Sequence, residues 1–390
     1  MWPYAEVGLA AAGTVLLTTP LIRWLAQKMG AVDRPSDRKV HAKDTPSLGG
    51  LALLLGVAAG LGAARLNPAL RATFADSSEL QGTLLAAIVI VALGVVDDFR
   101  TLSVPAKVAG QILAAGVLIL NGVQLLFVYF PSQGVISVGS DLAVPLTVIW
   151  VLVMVNAVNL IDGLDGLAAG ITAIGAAGFF VYAYVGPSTF GAPVVTAAVL
   201  SVIVVGVGVG FLPWNFHPAW IFMGDSGSML LGLLLASATI SGVGHATLAP
   251  SGGDLAAFFI PILPLMILAV PMVDVGMAIV RRLRRGRPIF APDKEHLHHQ
   301  LRDLGHTHRQ AVVLMYFWSA LLAGTALAVT FINGRLVVGA IGGTALFLIA
   351  ATFVPARVRE RRRKRAEALT AVGAEASRPG SFGPDTGLLP

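Results

Sequence analysis

The stretch NAVNLIDGLDG, residues 156–166, places two asparagines and two aspartates between two long apolar runs, 144–155 and 167–185. If both runs cross a bilayer, this polar stretch lies at a membrane face. Carboxylate and amide oxygens are hard ligands of the kind that Mg²⁺ prefers. We therefore expect a row of metal-binding oxygens at one surface of a membrane protein.

Three polar residues of this stretch have a helical spacing. Asn156, Asn159 and Asp162 follow one another at intervals of three residues, so in helical geometry they share one face. Asp165 lies between Gly163 and Gly166, at which the chain is able to turn tightly. The alternative interpretation is a plain turn or a fragment of a calcium loop, although an EF-hand needs a longer loop and more ligands.

The composition is that of a membrane protein. Of the 390 residues, 56% are hydrophobic and 12% are charged, whereas a soluble domain carries about 25% charged residues. Apolar runs of spanning length recur along the whole chain, which predicts an all-α polytopic integral membrane protein. The chain contains no cysteine, which excludes disulfides, thiolate chemistry and cysteine-ligated metal sites.

The apolar runs predict about eleven transmembrane helices. The expected spans are 3–25, 47–65, 81–97, 104–121, 142–158, 167–185, 191–212, 227–246, 254–280, 311–333 and 336–355. With the N-terminus outside and the C-terminus in the cytoplasm, 24 of the 27 lysines and arginines fall in cytoplasmic segments. Because cytoplasmic loops are enriched in basic residues, this orientation is the expected one, and it places every polar motif on the cytoplasmic side.

The chain divides into two parts. Residues 1–355 are expected to form the transmembrane catalytic domain with cytoplasmic active-site loops. Residues 356–390 begin with a dense run of arginines and end in a Gly/Ser/Pro-rich segment. We expect this basic tail to lie in the cytoplasm, to contact anionic lipid headgroups and to be disordered toward its end.

Carboxylates and cations recur at the predicted ends of the spans. Asp97 and Asp98 close the third span, where the helix dipole disfavours negative charge, so they call for a compensating cation or metal. Lys107, at the start of the next span, would lie near this pair and could hold a phosphate as a point charge. Asp225, within FMGDSGS, is either a helix N-cap or part of a site for a metal or phosphate.

A histidine cluster lies in a basic loop. His296, His298 and His299 follow a run of arginines and would suit pyrophosphate binding. Zinc is the rival interpretation, but the order of residues is not H-E-x-x-H and no cysteine is available. Asp274, inside the ninth predicted span, has no role that the sequence defines.

These motifs, taken together in order and spacing, resemble the polyprenyl-phosphate N-acetylhexosamine-1-phosphate transferases of the glycosyltransferase family 4 type. The resemblance covers residues 30–310 and includes Asp97-Asp98, NAVNLIDGLDG, FMGDSGS and the histidine cluster. The loop RKVHAKDTPSLGG, residues 38–50, also matches the family's first cytoplasmic loop. The short loop before Lys107, the histidine segment and the count of eleven spans are most similar to the N-acetylglucosamine 1-phosphate branch.

The resemblance implies a reaction and its participants. A polyprenyl phosphate, undecaprenyl or decaprenyl, attacks the β-phosphorus of UDP-N-acetylglucosamine, and UMP leaves. The expected cofactor is Mg²⁺, with Mn²⁺ as a substitute. The implied setting is the plasma membrane and cell-wall biogenesis, with a homodimer as the assembly and no nucleic-acid partner.

The resemblance also implies roles for individual residues. Asp225 and Asn159 would bind the metal with help from Asp162, while Asp97 and Asp98 would face the lipid phosphate. Asp97 is the family's proposed base; however, a phosphate monoester has its second pKa near ~6, so positioning should contribute more than proton removal. The residues expected to bind phosphate, sugar or nucleotide are Lys43, Arg100, Lys107, Asn156, Asp165, His296, His298 and His299. Asp33 recurs in relatives without a role that we can derive.

Three alternatives remain open at this point. The other branch of the family transfers phospho-N-acetylmuramoyl-pentapeptide for peptidoglycan synthesis. An ion-coupled transporter would use the carboxylates as an ion site, but it predicts acidic residues near the bilayer midplane and repeated halves. A zinc-dependent membrane hydrolase would depend on the histidines rather than on Asp225.

Overall fold

The fold is known from a computed structural model. It describes residues 1–33, 44–130, 134–185, 194–243 and 306–331, with short pieces at 283–284, 286, 342–343 and 345–347. Lys43, Asp274, His296, His298, His299, the tail 356–390, the predicted span 254–280 and most of the span 336–355 lie outside the described residues.

Helices dominate the described part of the chain. They are α1 Trp2–Met29, α2 Gly49–Leu66, α3 Ala72–Asp76, α4 Glu79–Phe99, α5 Val104–Leu120, α6 Ser140–Ile161, α7 Leu167–Val185, α8 Val195–Asn215, α9 Gly224–Val243 and α10 His308–Phe331. Within these residues, seven helices are long and apolar enough to cross a membrane: α1, α2, α4, α6, α7, α8 and the first 21 residues of α10. The prediction of a mostly helical, multi-pass membrane protein is therefore confirmed.

Helix α9 is the centre of the bundle. It packs against α4, α6 and α8 most extensively, and also against α2 and α7. Every residue from 226 to 242 is buried, so α9 has no face left for lipid. Its N-terminus, with Asp225 as the second residue, is consequently surrounded by the ends of neighbouring helices.

Two glycines allow these neighbours to approach the start of α9. A Cβ atom on Gly94 of α4 would lie 2.3 Å from the Cα atom of Ser226, and one on Gly50 would lie 2.5 Å from the backbone nitrogen of Gly227. Real side chains never approach that closely, so only glycine fits at either position. The contact at Gly94 brings the next turn of α4, with Asp97 and Asp98, directly beside Asp225.

Backbone hydrogen bonds join residues 45–50 to the segment that leads into α9. Strand β1 (Val32–Asp33) pairs antiparallel with β2 (Thr45–Pro46). The amide of Phe222 then donates to Pro46 O at 2.8 Å, and the amide of Gly50 donates to Met223 O at 2.9 Å. The residues that follow Lys43 therefore pair with Phe222 and Met223, just before Asp225 in the chain.

A second hairpin lies at the opposite end of α5. Strands β3 (Phe127–Phe130) and β4 (Gly134–Ser137) pair antiparallel. The polar motifs lie at the other end of the bundle, at the C-termini of α4 and α6 and the N-termini of α5 and α9. The polar motifs are therefore gathered at one end of the bundle, and the hairpin lies at the other.

Candidate active site

Asp225 is the point at which three helices meet through polar contacts. The Lys107 ammonium of α5 donates to Asp225 Oδ2 at 2.8 Å and also forms an ion pair with Asp97 of α4. Asp97 is 8% exposed, and its second oxygen accepts the backbone N–H of Leu102 at 2.7 Å. Lys107 therefore lies beside Asp97, one of the two carboxylates that end α4, as expected, and it bridges Asp97 to Asp225 of α9.

Asn159 of α6 completes this contact. Its Nδ2 atom donates to Asp225 Oδ1 at 2.9 Å and to Ser228 Oγ at 2.9 Å. Its Oδ1 atom accepts no hydrogen bond from the residues that the structure describes. Asn159 is therefore able to turn its amide oxygen toward a cation, at the cost of its hydrogen bond to Asp225.

Asp98 caps α9 from a neighbouring helix. Its Oδ1 atom accepts the backbone N–H of Asp225 at 2.9 Å, and its Oδ2 atom accepts the hydroxyl of Ser226 at 2.9 Å. A carboxylate at a helix N-terminus satisfies orphan amides and complements the positive end of the helix. The interpretation of Asp225 as an N-cap is wrong: Asp225 lies inside α9, and Asp98 supplies the acceptor.

The cap predicts a loss of stability. Replacing Asp98 with Ala should destabilise the protein by about 1–2 kcal/mol, because two donors at the start of α9 lose their acceptor. Asp98→Asn keeps one acceptor oxygen and should lose less. Thermal unfolding in detergent, followed by tryptophan fluorescence, measures both variants. Asp76→Ala, at an exposed aspartate, is the control, and an Asp98→Ala protein as stable as this control would contradict the cap.

Asp162 adds a carboxyl group without a partner among the described residues. Helix α6 ends at Ile161, so Asp162 does not continue the helical face of Asn159 as expected from their spacing. Its carboxylate forms no hydrogen bond or ion pair with other described residues. Burial, followed by the negative charges of Asp225, Asp98 and Asp165, raises the pKa of Asp162 to about 8. A cation bound beside Asp162 would offset both causes and stabilise the ionised form.

Asp165 faces away from this cluster toward the segment that joins α8 to α9. Its Oδ2 atom lies 2.6 Å from His217 Nδ1 and accepts the backbone N–H of Ala219 at 3.1 Å. The ring of His308, at the start of α10, stacks on His217 with centroids 4.1 Å apart. Asp165 therefore holds one polar loop against another.

Asp165, His217 and His308 also satisfy the distance criterion for a metal site, since one ligand atom of each lies within 4.8 Å of the others. The two rings are nearly parallel, with an interplanar angle of 21°. Stacked imidazoles do not direct their nitrogen lone pairs at a common point, which a metal requires. We interpret the three residues as a latch between loops.

Asn215 and Tyr316 hold the glycine turn after Asp165. The backbone N–H of Gly166 donates to Asn215 Oδ1 at 3.0 Å, and Asn215 Nδ2 donates to Ile221 O at 3.0 Å. The hydroxyl of Tyr316 in α10 donates to the carbonyl of Gly166. Gly166 has φ +80, a conformation that residues other than glycine rarely adopt. The turn is thus held by α8 and α10.

Two residues expected to bind substrate do not join the carboxylate cluster. The Arg100 side chain is exposed and forms no hydrogen bond or ion pair with the described residues. Asn156 lies one turn before Asn159 in α6 and bonds to Gln111 of α5. Asp33 lies in β1.

The donor set fits a hard divalent cation. In the part of the chain that the structure describes, the carboxyl groups of Asp97, Asp98, Asp162 and Asp225 lie near one another, and Lys107 forms ion pairs with two of them, Asp97 and Asp225. Asp225, Asp162 and the amide oxygen of Asn159 offer oxygen ligands only, as Mg²⁺ prefers. All four carboxylates lie at one end of the bundle, whereas a transporter site is expected near its middle.

Some site residues escaped the sequence reasoning. Ser226 and Ser228 bond to Asp98 and Asn159, and both belong to FMGDSGS, so the motif itself was the available signal. Asn215 and His217 belong to a polar segment, WNFH, that follows an apolar run. No local pattern singles out Tyr316, which lies 150 residues from its partner in the chain.

Comparison with known proteins identifies relatives over most of the chain. The family model described as glycosyl transferase family 4 matches residues 80–243. The decaprenyl-phosphate N-acetylglucosaminephosphotransferase of Mycobacterium tuberculosis is 41% identical over 357 residues, which cover 90% of this chain and 88% of the relative. A probable undecaprenyl-phosphate N-acetylglucosaminyl 1-phosphate transferase of Bacillus subtilis is 39% identical over 78% of each chain.

A more distant relative carries the same kind of name. The undecaprenyl-phosphate alpha-N-acetylglucosaminyl 1-phosphate transferase of Escherichia coli is 30% identical over 77% of each chain. The resemblance inferred from the motifs is thereby confirmed across most of the chain. The protein belongs to glycosyl transferase family 4 and is a multi-pass membrane enzyme that transfers a sugar phosphate.

Proposed function

We propose that this enzyme transfers N-acetylglucosamine 1-phosphate from UDP-N-acetylglucosamine to a polyprenyl phosphate. An oxygen of the lipid phosphate forms a bond to the β-phosphorus of the nucleotide sugar. The bond from the β-phosphorus to the oxygen that bridges it to the α-phosphorus breaks, and UMP leaves with the electron pair. The product is polyprenyl diphosphate N-acetylglucosamine, which would prime a cell-envelope polysaccharide.

One observation carries the proposal: the Lys107 ammonium lies between the carboxylates of Asp97 and Asp225 at one end of the bundle. Phosphoryl transfer depends mainly on positioning and on stabilisation of charge at the phosphorus. A lysine and oxygen ligands for a cation, held together by four helices, supply both. The names of the relatives support N-acetylglucosamine as the sugar and a polyprenyl phosphate as the acceptor.

The residues then have distinct tasks. Lys107 would hold a phosphate oxygen while its ion pair with Asp97 fixes the position of the ammonium. Asp97 lies beside the incoming lipid phosphate and orients it; much of that phosphate is already a dianion near neutral pH, because its second pKa is near ~6. Asp98 acts through the start of α9, where it sets the position of Asp225.

Magnesium belongs to the same proposal, with Mn²⁺ as a substitute. Asp225, Asn159 and Asp162 would hold the ion. When bound, Mg²⁺ neutralises negative charge on the diphosphate. Asn159 would turn its amide oxygen toward the ion and give up its hydrogen bond to Asp225. Lys43, Arg100 and the three histidines of residues 296–299 stay predicted contacts of the nucleotide sugar.

The proposal also includes the topology. An N-terminus outside, a cytoplasmic C-terminus and eleven spans would place the carboxylate cluster at the cytoplasmic face, where UDP-sugars are made. The distribution of lysines and arginines supports this orientation. A homodimer is the expected assembly, and light scattering of the purified protein measures it.

The test of the function is release of UMP by the purified protein. UDP-N-acetylglucosamine is supplied with undecaprenyl or decaprenyl phosphate, with MgCl₂ or with EDTA. UMP release that requires both the lipid phosphate and Mg²⁺ supports the proposal. Parallel reactions with UDP-N-acetylmuramoyl-pentapeptide test the other branch of the family. No release from UDP-N-acetylglucosamine with either acceptor would sink the proposal.

The contacts of Asp165 with His217 and Ala219 predict a partial loss of activity when its charge is removed. Asp165→Asn keeps one acceptor oxygen for the two donors, His217 Nδ1 and the amide of Ala219, but removes the charge. We expect a fall in kcat of about tenfold without loss of Mg²⁺ binding, because Asp165 bonds, among the described residues, to His217 and Ala219 and not to Asp225. Initial rates across a Mg²⁺ titration measure both quantities. Complete loss of metal binding would show that Asp165 is a ligand instead.

A further inference from the structure

Helix α5 carries Lys107 and packs against α4 and α6. Its buried residues are Gln111, Ala114, Ala115 and Leu118, and three of these four are apolar. In a membrane, lipid competes with protein for apolar surfaces, so such contacts alone do not hold one helix in a defined axial position against another. A lysine that must reach two carboxylates needs a more exact constraint.

A reciprocal pair of amides supplies that constraint. Asn156 Nδ2 of α6 donates to Gln111 Oε1 at 2.8 Å, and Gln111 Nε2 lies 3.4 Å from Asn156 Oδ1. In the part of the chain that the structure describes, this pair makes the one direct hydrogen-bonded contact between side chains of α5 and α6. Gln111 is 1% exposed and also contacts Met229 Sδ of α9 at 3.5 Å. The pair therefore joins α5 to both helices that bear Asn159 and Asp225.

The pair lies one helical turn below the reacting groups. Lys107 precedes Gln111 by four residues on α5, and Asn156 precedes Asn159 by three residues on α6. Residues three and four apart lie on the same face of a helix, about 5–6 Å from each other. A slip of α5 along α6 by one residue would move Lys107 by about 1.5 Å. Its contact of 2.8 Å with Asp225 would not survive such a slip without rearrangement.

We propose that Gln111 and Asn156 are positioning residues, which hold α5 in register so that the Lys107 ammonium lies between Asp97 and Asp225. This inference rests on the proposed function. The two amides act through Lys107 and do not touch substrate. Both donors of Asn156 Nδ2 are occupied, by Gln111 and by the carbonyl of Leu152 at 2.8 Å, which leaves no donor for the sugar or phosphate.

The alternative is that the pair of Gln111 and Asn156 contributes only to stability. Single and double replacements of the pair distinguish a stabilising role from a positioning role. Removing one amide leaves its buried partner unsatisfied and costs stability. Removing both amides leaves an apolar contact and returns much of the stability. The axial constraint, however, is absent from the double variant. Stability and activity should therefore diverge when both residues are replaced.

The experiment compares Gln111→Leu, Asn156→Leu, the double Leu variant and the exchange Gln111→Asn with Asn156→Gln. We expect both single variants to unfold at lower temperature than wild type and the double variant to recover. The double variant should still lose roughly 10- to 100-fold in kcat, as displaced reacting groups do. Its KM for UDP-N-acetylglucosamine should stay within about twofold of wild type. The exchange, which restores an amide pair of equal total length, should recover most of the kcat.

Trp150→Phe is the matched control. It removes the hydrogen bond of 2.9 Å from Trp150 Nε1 to Thr239 Oγ1, which joins α6 to α9 away from the carboxylates. This variant should lose stability and keep its kcat. A double Leu variant with wild-type kcat, or an exchange variant as slow as the double Leu variant, would overturn the inference. Absence of UMP release by wild type would instead overturn the proposed function.

Discussion

Asp225→Asn should lower kcat by on the order of a thousandfold while the protein stays folded. The substitution keeps the size of the side chain and removes one charge, at the residue that Lys107, Asp97 and Asn159 all contact. The cap of α9 uses the backbone N–H of Asp225, which the substitution does not alter. We therefore expect a large loss in the chemical step and little loss in stability.

The measurement is the initial rate of UMP release across a Mg²⁺ titration. If Asp225 helps to hold the cation, the apparent affinity for Mg²⁺ should fall by about 10- to 100-fold in the same variant. Asp76→Asn, which removes a charge at an exposed position of α3, should match wild type in both quantities. An Asp225→Asn enzyme that keeps a tenth or more of the wild-type kcat would rule out a central role for this carboxylate.

Lys107→Met should lower kcat by roughly 100- to 1000-fold, because one positioned charge is lost from the site. The methionine retains most of the length of the side chain but leaves Asp97 and Asp225 without their shared cation. Lys107→Arg should recover only part of the rate. A guanidinium is planar and wider than an ammonium, and the space between the two carboxylates fits a point charge.

The double variant Lys107→Met with Asp225→Asn tests whether the two residues act as a unit. Residues in direct contact are coupled, so their separate losses should not add. We expect the double variant to be about as slow as the slower single variant, within roughly threefold. Losses that multiply would instead mean that Lys107 and Asp225 serve independent steps, and the ion pair would have no mechanistic meaning. Each variant is compared at equal amounts of folded protein, measured by size-exclusion chromatography.

The helices and the class of protein were predictable from local pattern. A bilayer requires each spanning segment to satisfy its own backbone hydrogen bonds, so a long apolar run becomes a helix whatever its neighbours are. Nine of the eleven predicted spans fall on described helices, with differences of a few residues at their ends. The polar motifs were equally visible, because they interrupt apolar runs and few other charges surround them. The count of eleven and the orientation stay predictions.

The geometry of the site was predictable only in part. The spacing of Asn156, Asn159 and Asp162 suggested one shared face, but α6 ends before Asp162, and Asn156 faces α5 instead of the carboxylates. Asp225 had the pattern of an N-cap, yet Asp98, 127 residues earlier, supplies that acceptor. Local propensity describes how one helix begins or ends, and it contains no information on which helix lies beside it.

Tertiary packing therefore determines the partners of each charged group. Lys107 and Asp225 are 118 residues apart, and they meet because Gly94 lets α4 lie against the start of α9 and because Gln111 bonds to Asn156. Hydropathy does not choose among helix neighbours, since lipid is as apolar as a leucine side chain. Steric fit at small residues and buried hydrogen bonds make that choice. NAVNLIDGLDG alone predicted a membrane-face site for hard cations, and the arrangement of α5 and α9 around it decided the contacts of Asn156 and Asn159.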